Sequence, residues 1–121
     1  MGQQILVVDD SKSIRQTIKY VVEGAGYSVI EAANGKEALG VIGPQTKLVV
    51  TDINMPEMNG IELVRAIRSG SAPMKTVPIV ILTTESQDDM KQEGKAAGAT
   101  AWIVKPFPPE AVISTIRKLI G

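Results

Sequence analysis

The chain has 121 residues, with 13 Lys and Arg against 13 Asp and Glu, which fits one domain over residues 1–121 with zero net charge. Cysteine and histidine are absent, which excludes disulfides, thiolate or imidazole metal sites and histidine acid–base catalysis. The balanced charge gives no indication of nucleic-acid binding. The longest apolar runs are far shorter than the ~20 residues that span a membrane. No signal peptide is visible, so we expect a cytoplasmic protein that does not insert into membranes.

Five short apolar runs predict five β-strands. Valine and isoleucine number 13 and 14 against four aromatic residues, which suits strands buried on both faces. The run at residues 28–32 alternates Val29 with Glu31, which indicates a strand with one partly exposed face. The five predicted strands are residues 5–8, 28–32, 48–51, 79–82 and 101–104.

The segments between these runs follow a helical period. Ile14, Ile18 and Val22 lie on one stripe of a helix that should end near Gly24. The segment 86–97 is the weakest candidate, because it is polar and contains Gly94. The remaining helices are expected at residues 36–42, 60–69 and 109–120. Five successive strand–helix units predict a parallel sheet with helices on both faces.

Polar side chains follow four of the predicted strands. They are Asp9 and Asp10, Asp52, Thr83 and Lys105. Because ligands of such sheets bind beyond the carboxyl ends of the strands, we expect these groups to converge. Three carboxylates without His or Cys favour Mg²⁺. Phosphoryl transfer to an aspartate needs a metal, a cation for the phosphoryl oxygens and a placed nucleophile, which this set supplies.

The string DINMPEMNG at residues 52–60, with the acidic pair, Thr83 and Lys105-Pro106, resembles the receiver domain of two-component response regulators. The closest form is the single-domain chemotaxis regulator. The resemblance covers essentially the whole chain, in order and spacing. It implies a flavodoxin-like, doubly wound sheet of five parallel strands in the order 2-1-3-4-5, with five helices on two faces.

The resemblance also implies roles for single residues. Asp52 would accept a phosphoryl group from a histidine kinase, with Lys105 paired to that group and Thr83 donating its hydroxyl to it. Mg²⁺ would be held by Asp10, Asp52 and the backbone carbonyl of Asn54, with Asp9 acting through water. The domain would catalyse its own phosphorylation and dephosphorylation and would not otherwise be an enzyme.

Further expectations from the resemblance concern hydrolysis and output. The side chains of Asn54 and Glu85 would tune the hydrolysis rate, and the bond before Pro106 would be cis. Trp102 stands where the family usually has a Tyr or Phe switch residue, and its larger indole opposes full inward rotation. We expect a monomer whose output partner, for example a flagellar motor switch, binds a face made of residues 86–97, Trp102 and residues 109–120. Thr84, at a position that is often Ala or Gly, would slow the entry of phosphodonors.

Several alternatives stay open from the residues. The Asp9-Asp10 pair could simply cap a helix, Thr83 could satisfy a backbone group, and Trp102 could serve only in packing. The whole chain could be a phosphorylation-independent scaffold of receiver shape. A flavin enzyme of the same topology is disfavoured, because the acidic pair would repel the flavin phosphate. A P-loop NTPase is excluded, because its phosphate-binding motif is missing.

Overall fold

The computed structural model describes residues 2–53, 55, 57–70, 74–83, 88–105 and 107–121. Five strands form one sheet in the order β2-β1-β3-β4-β5, and every neighbouring pair is parallel. This arrangement confirms the doubly wound, flavodoxin-like fold expected above. The strands are β1 (Gln4–Val8), β2 (Ser28–Ala32), β3 (Thr46–Asp52), β4 (Ile79–Thr83) and β5 (Ala101–Val104).

Strand β3 is longer than its apolar run predicts. The run covers residues 48–51, whereas the strand begins at Thr46 and ends at Asp52. Thr46 pairs with Gln4 of β1, and its hydroxyl donates to Gln4 Oε1 at 2.9 Å. Asp52 pairs with Leu82 of β4. The neighbouring strands therefore extend β3 at both ends, so that Asp52 is the last residue of a buried central strand.

The described helices begin at polar caps where the sequence offers them. Ser11 accepts the N–H of Ile14 at 3.3 Å, and Asn59 forms a reciprocal capping box with Glu62. The segment predicted at 86–97 is helical from residue 88, and residues 86 and 87 lie outside the described part of the chain. The helices are α1 (Lys12–Gly24), α2 (Gly35–Val41), α3 (Gly60–Arg68), α4 (Asp88–Ala97) and α5 (Pro109–Ile120), with a 3₁₀ turn at Met74–Thr76.

Two apolar clusters lie on opposite faces of the sheet. One packs α1 and α5 against the sheet through residues such as Ile18, Val22 and Ile116. The other packs α2, α3 and α4 on the opposite face, with Trp102 at its border. Central strands buried on both faces explain the unbroken aliphatic runs. No helix in the described ranges has the length and apolarity needed to cross a bilayer.

Gly94 and Trp102 form the contact that seats α4 on the sheet. Gly94 is buried, and a Cβ built on it would collide with the Trp102 ring and lie 3.3 Å from Ile81 Cδ1. The Trp102 Nε1 atom is buried and has no hydrogen-bond partner among the described residues. Gly94 has a low helical propensity. Its missing side chain is nevertheless what lets the Trp102 indole pack against the backbone of α4.

This contact gives a prediction for stability. Gly94→Ala should lower the free energy of unfolding by about 1–3 kcal/mol, because overpacking outweighs the gain in helix propensity. Gly40→Ala is the matched control, since Gly40 is helical and has nothing within 4 Å of its built Cβ. It should raise the free energy of unfolding by about 0.5–1 kcal/mol in urea denaturation. The Gly94→Ala cost should vanish in a Trp102→Ala background, and equal stabilisation at both glycines would contradict the contact.

Candidate functional site

Three carboxylates meet at the carboxyl edge of the sheet. Asp9 and Asp10 follow β1, and Asp52 ends β3 beside it. One oxygen from each carboxylate lies within 4.8 Å of the others. Asp9 is 1% exposed and Asp52 8%, whereas Asp10 is exposed. The cluster sits where the connections from β1 and β3 diverge to opposite faces, the usual position of a ligand site in this architecture.

Lys105 places an ammonium group between two of these carboxylates. It follows β5 and is 16% exposed at its side chain. Its Nζ lies 3.3 Å from Asp52 Oδ1 and 3.7 Å from Asp9 Oδ2. The structure thus gives Lys105 the carboxylate partners that its place at a strand end suggested. Thr83 ends β4 at the same edge and is buried.

Asp9 is held on several sides. Its N–H donates to the Ala32 carbonyl at 3.1 Å, and its Oδ1 accepts the Ser11 N–H at 2.9 Å. Its own carbonyl accepts a hydrogen bond from Arg15. Ser11, not Asp9 or Asp10, is the N-cap of α1. The alternative in which the acidic pair serves only as a helix cap is therefore wrong.

The second Asp9 oxygen makes the cluster a suitable cation site. Asp9 Oδ2 is buried and has no hydrogen-bond partner in the described part of the chain. Burial raises the pKa of Asp9 most, the nearby Asp52 carboxylate raises it further, and the Ser11 N–H and Lys105 act in the opposite direction. Oxygen ligands with excess negative charge are those that Mg²⁺ prefers. The residues present therefore fit that ion.

The loop after β3 fixes the backbone that carries Asp52. Asp52 Oδ1 accepts the Ile53 N–H at 2.9 Å, and the Ile53 carbonyl accepts the Gly60 N–H at 2.8 Å. A Cβ on Gly60 would lie 2.9 Å from Ile53 Cα and collide with the Asp52 carbonyl. Gly60 is therefore needed for close approach between the start of α3 and the strand end. Among the described residues of this loop, Glu57 has a positive φ, of 69°.

Four positions singled out from the sequence lie outside the described residues. They are Asn54, Thr84, Glu85 and Pro106. The structure therefore leaves open the backbone ligand, the effect of Thr84, the hydrolysis-tuning side chains and the cis bond, which stay predictions. Trp102 is seated on α4, as described above. Sequence reasoning missed Arg15, whose only signal was its place one helical turn after the acidic pair.

The raised pKa of Asp9 gives a prediction for stability against pH. A carboxyl group with a higher pKa in the folded state stabilises the fold below its unfolded pKa, and that contribution is lost as pH rises through the folded pKa. Asp9→Asn should therefore unfold at higher urea concentration than wild type at pH 7, without divalent ions, and the difference should shrink as the pH falls through the pKa of Asp9. Asp10→Asn, at an exposed carboxylate, is the control and should show the smaller gain. A less stable Asp9→Asn at pH 7 would show that the Ser11 and Lys105 contacts outweigh burial.

Known proteins are similar to this chain in sequence and in fold. A family model described as "Response regulator receiver domain" matches residues 5–117. The chain is 40% identical over 121 residues to chemotaxis protein CheY1 of Helicobacter pylori, covering 98% of this chain and 97% of that protein. It is also similar to the solved chemotaxis response regulator CheY4 of Vibrio cholerae, with 43% identity, a TM-score of 0.90, and coverage of 99% of this chain and 100% of that one.

One further solved structure concerns the metal. The receiver domain of sensor histidine kinase PA1611 from Pseudomonas aeruginosa PAO1 is 25% identical, with a TM-score of 0.90 and coverage of 100% of this chain and 99% of that one. That structure has a magnesium ion coordinated in its active site cleft. The family match and both structural matches span the strand ends that carry the acidic cluster.

Proposed function

The chain belongs to the family of response regulator receiver domains, and we propose that Asp52 is its phosphoacceptor and that a histidine kinase is its phosphodonor. Phosphorylation of an aspartate and binding of Mg²⁺ are general in this family. The observation that carries the assignment is the contact of 3.3 Å between Asp52 Oδ1 and Lys105 Nζ, inside a cluster of three carboxylates. This is the only described acidic cluster with metal-ligand spacing.

Transfer to Asp52 needs placement and charge more than covalent help from other residues. A carboxylate oxygen of Asp52 attacks the phosphorus of a phosphohistidine. The O–P bond forms as the N–P bond breaks, and the electron pair of that bond leaves with the imidazole nitrogen. Lys105, beside the attacking carboxylate, attracts the phosphoryl oxygens and offsets their charge. Thr83 donates its hydroxyl to one of those oxygens.

Hydrolysis of the phosphoryl group restores the Asp52 carboxylate. A water oxygen attacks the phosphorus, the bond to Asp52 breaks, and inorganic phosphate leaves. The same Lys105 and Thr83 serve this step, so the domain catalyses its own dephosphorylation.

The metal ligands of the proposal divide between exposed and buried carboxylates. Asp10 and Asp52 would hold Mg²⁺ directly, with the backbone carbonyl of Asn54, and Asp9 would act through water. Bound there, the ion supplies positive charge that screens the carboxylates from an approaching phosphoryl group. Asp9 Oδ2, which accepts no hydrogen bond from the described residues, and the exposure of Asp10 support this assignment of ligands.

Chemotaxis is the proposed pathway, because the named relatives above include chemotaxis regulators. The protein then works in the cytoplasm, and its output partner is a protein such as the flagellar motor switch. The expectation of a monomer stays a prediction. The site retains each acidic residue, Thr83 and Lys105, which favours a phosphorylation switch over the scaffold alternative.

The proposed docking face joins α4, Trp102 and α5. Thr83 pairs with Val104 on β5, two residues beyond Trp102, and Trp102 in turn contacts Gly94 of α4. A hydroxyl that moves toward a phosphoryl group at Asp52 therefore acts on the strand and helix that border this face. Phosphorylation would shift the equilibrium between two positions of α4.

The phosphoacceptor assignment predicts a specific adduct. Acetyl phosphate with Mg²⁺ should give wild type a hydroxylamine-sensitive phosphoryl adduct in mass spectrometry, because the acyl phosphate is labile to that nucleophile. Asp52→Asn should reduce the adduct to background. Glu57→Gln, a carboxylate change in the adjacent loop, is the control and should retain it. An adduct that forms on Asp52→Asn at the wild-type rate would place the phosphoacceptor elsewhere.

The output proposal predicts a fluorescence change. Trp102 is the only tryptophan, so beryllofluoride with Mg²⁺ should alter its emission as α4 is repositioned. Thr83→Ala should reduce the change, whereas Thr83→Ser keeps a hydroxyl and should preserve most of it. Unchanged emission while fluorine NMR shows Asp52 occupied would contradict the coupling. Partner binding that is equal with and without beryllofluoride would favour the scaffold.

A further inference from the structure

Arg15 connects the acidic edge to the second strand. Its Nη1 donates to the Asp9 carbonyl at 2.6 Å, and its Nε lies 3.2 Å from Glu31 Oε1. Glu31 lies on β2, whereas Arg15 lies in the first turns of α1. Side chains on a helix lean toward its N-terminus, which explains how Arg15 reaches back to Asp9, two residues before the N-cap of α1. One guanidinium group thus joins three elements.

The guanidinium group is itself held in place. The Arg15 side chain is 15% exposed, and Glu31 fixes its Nε while the terminal nitrogen binds the carbonyl. The fork of a guanidinium suits two such contacts at fixed angles, which a flexible ammonium group cannot reproduce. Lys19 pairs with the other Glu31 oxygen at 3.5 Å and makes no hydrogen bond or ion pair with Asp9. Among the described cations that pair with Glu31, Arg15 is therefore the one that also contacts Asp9 at the site.

The Asp9 carbonyl belongs to the peptide group that carries Asp10. A peptide group is planar, so a hydrogen bond that fixes its carbonyl also fixes its N–H and the direction of the next Cα. The exposed Asp10 has little packing to orient it, so the plane of that peptide group fixes the Cα position from which its carboxylate extends.

We propose that Arg15 is a positioning residue for the metal site, because its hydrogen bond to the Asp9 carbonyl orients Asp10 toward the cation. This inference rests on the proposed function, in which Asp10 is a direct Mg²⁺ ligand. It assigns Arg15 no contact with the metal or with the phosphoryl group.

The charge of Arg15 and its positioning role predict opposite changes in Mg²⁺ affinity when Arg15 is removed. Arg15 is a cation near an acidic site, so its loss would by electrostatics alone tighten the binding of another cation. Loss of positioning weakens binding, since residues that orient metal ligands typically change affinity by about 10–100-fold. The sign of the change therefore separates the two effects.

The experiment measures Mg²⁺ affinity by calorimetry on the whole chain. Arg15→Met keeps an apolar stem of similar length and should bind Mg²⁺ about tenfold more weakly than wild type. Lys19→Met is the matched control, because it removes one positive charge and one ion pair with Glu31 but leaves the Asp9 carbonyl contact. Its affinity should stay within about twofold of wild type, as for an exposed pair. Asp10→Asn shows how far the Mg²⁺ affinity falls when a proposed direct ligand is changed. Urea unfolding of each variant without Mg²⁺ separates an effect on affinity from an effect on stability.

Each outcome bears on the proposal. Affinity of Arg15→Met equal to or above that of Lys19→Met overturns the positioning role. If Arg15→Met does not fold, Arg15→Lys replaces it: it keeps the charge but not the fork, and an affinity lower than that of Lys19→Met supports the role, while an equal one overturns it. A wild type that binds no Mg²⁺ overturns the proposed metal site and this role together, whereas Mg²⁺ binding in Arg15→Met with the affinity of wild type overturns the role of Arg15 alone.

Discussion

The repulsion among three carboxylates at one edge of the sheet is the constraint to which the rest of the site responds. Their oxygens lie within 4.8 Å of one another, and Lys105 is the only described cation in contact with them. At such a distance the two buried carboxylates, Asp9 and Asp52, repel each other by on the order of 3 kcal/mol at an effective dielectric constant near 20, and the exposed Asp10 adds less because solvent screens its charge. The parallel topology brings the strand ends together regardless, and two apolar clusters hold them there. A bound cation or a protonated Asp9 relieves the same repulsion.

The C-terminal end of α4 is held by Arg68, whereas its N-terminal end follows β4, the strand that ends in Thr83. Arg68 of α3 donates to the Gly98 carbonyl at 2.9 Å and to the Val77 carbonyl at 2.6 Å. Gly98 follows α4 directly and has a φ of 110°, which an L side chain rarely adopts. Burial also lowers the pKa of Arg68, although such a group stays charged at neutral pH. If α4 is displaced near Thr83, its C-terminal end therefore stays attached to α3 at Gly98.

The local pattern of apolar residues predicted the strands and helices well where aliphatic side chains dominate a run or recur at helical spacing. The aliphatic runs located all five strands, and the spacing of Val112 and Ile116 located α5. The strand order followed only from the family resemblance, because periodicity does not record which strands are neighbours. The ends of β3 depend on pairing with Gln4 and Leu82, which no local window contains.

The meeting of the carboxylates with Lys105 was predictable from the sequence, whereas the different surroundings of Asp9 and Asp10 were not. Parallel topology alone implied that Asp9, Asp52 and Lys105 would meet. The Gly94 contact with Trp102 stayed hidden, because a glycine in a polar helix weakens the helix by propensity and its benefit comes from a distant strand. Arg15 stayed hidden for a related reason, since its partners are Asp9, which follows β1, and Glu31 on β2.

Asp9 and Asp10 are neighbours in sequence with opposite surroundings, and this difference explains why the site contains both. Asp9 is buried, bonded through its N–H, its carbonyl and one carboxylate oxygen, and faces Lys105. It acts as a fixed negative charge that cannot follow an arriving ion. Asp10 is exposed and can meet a hydrated cation before the ion loses its water. Since the same peptide group joins the two residues, the bonds that immobilise Asp9 also fix the backbone from which the Asp10 side chain extends.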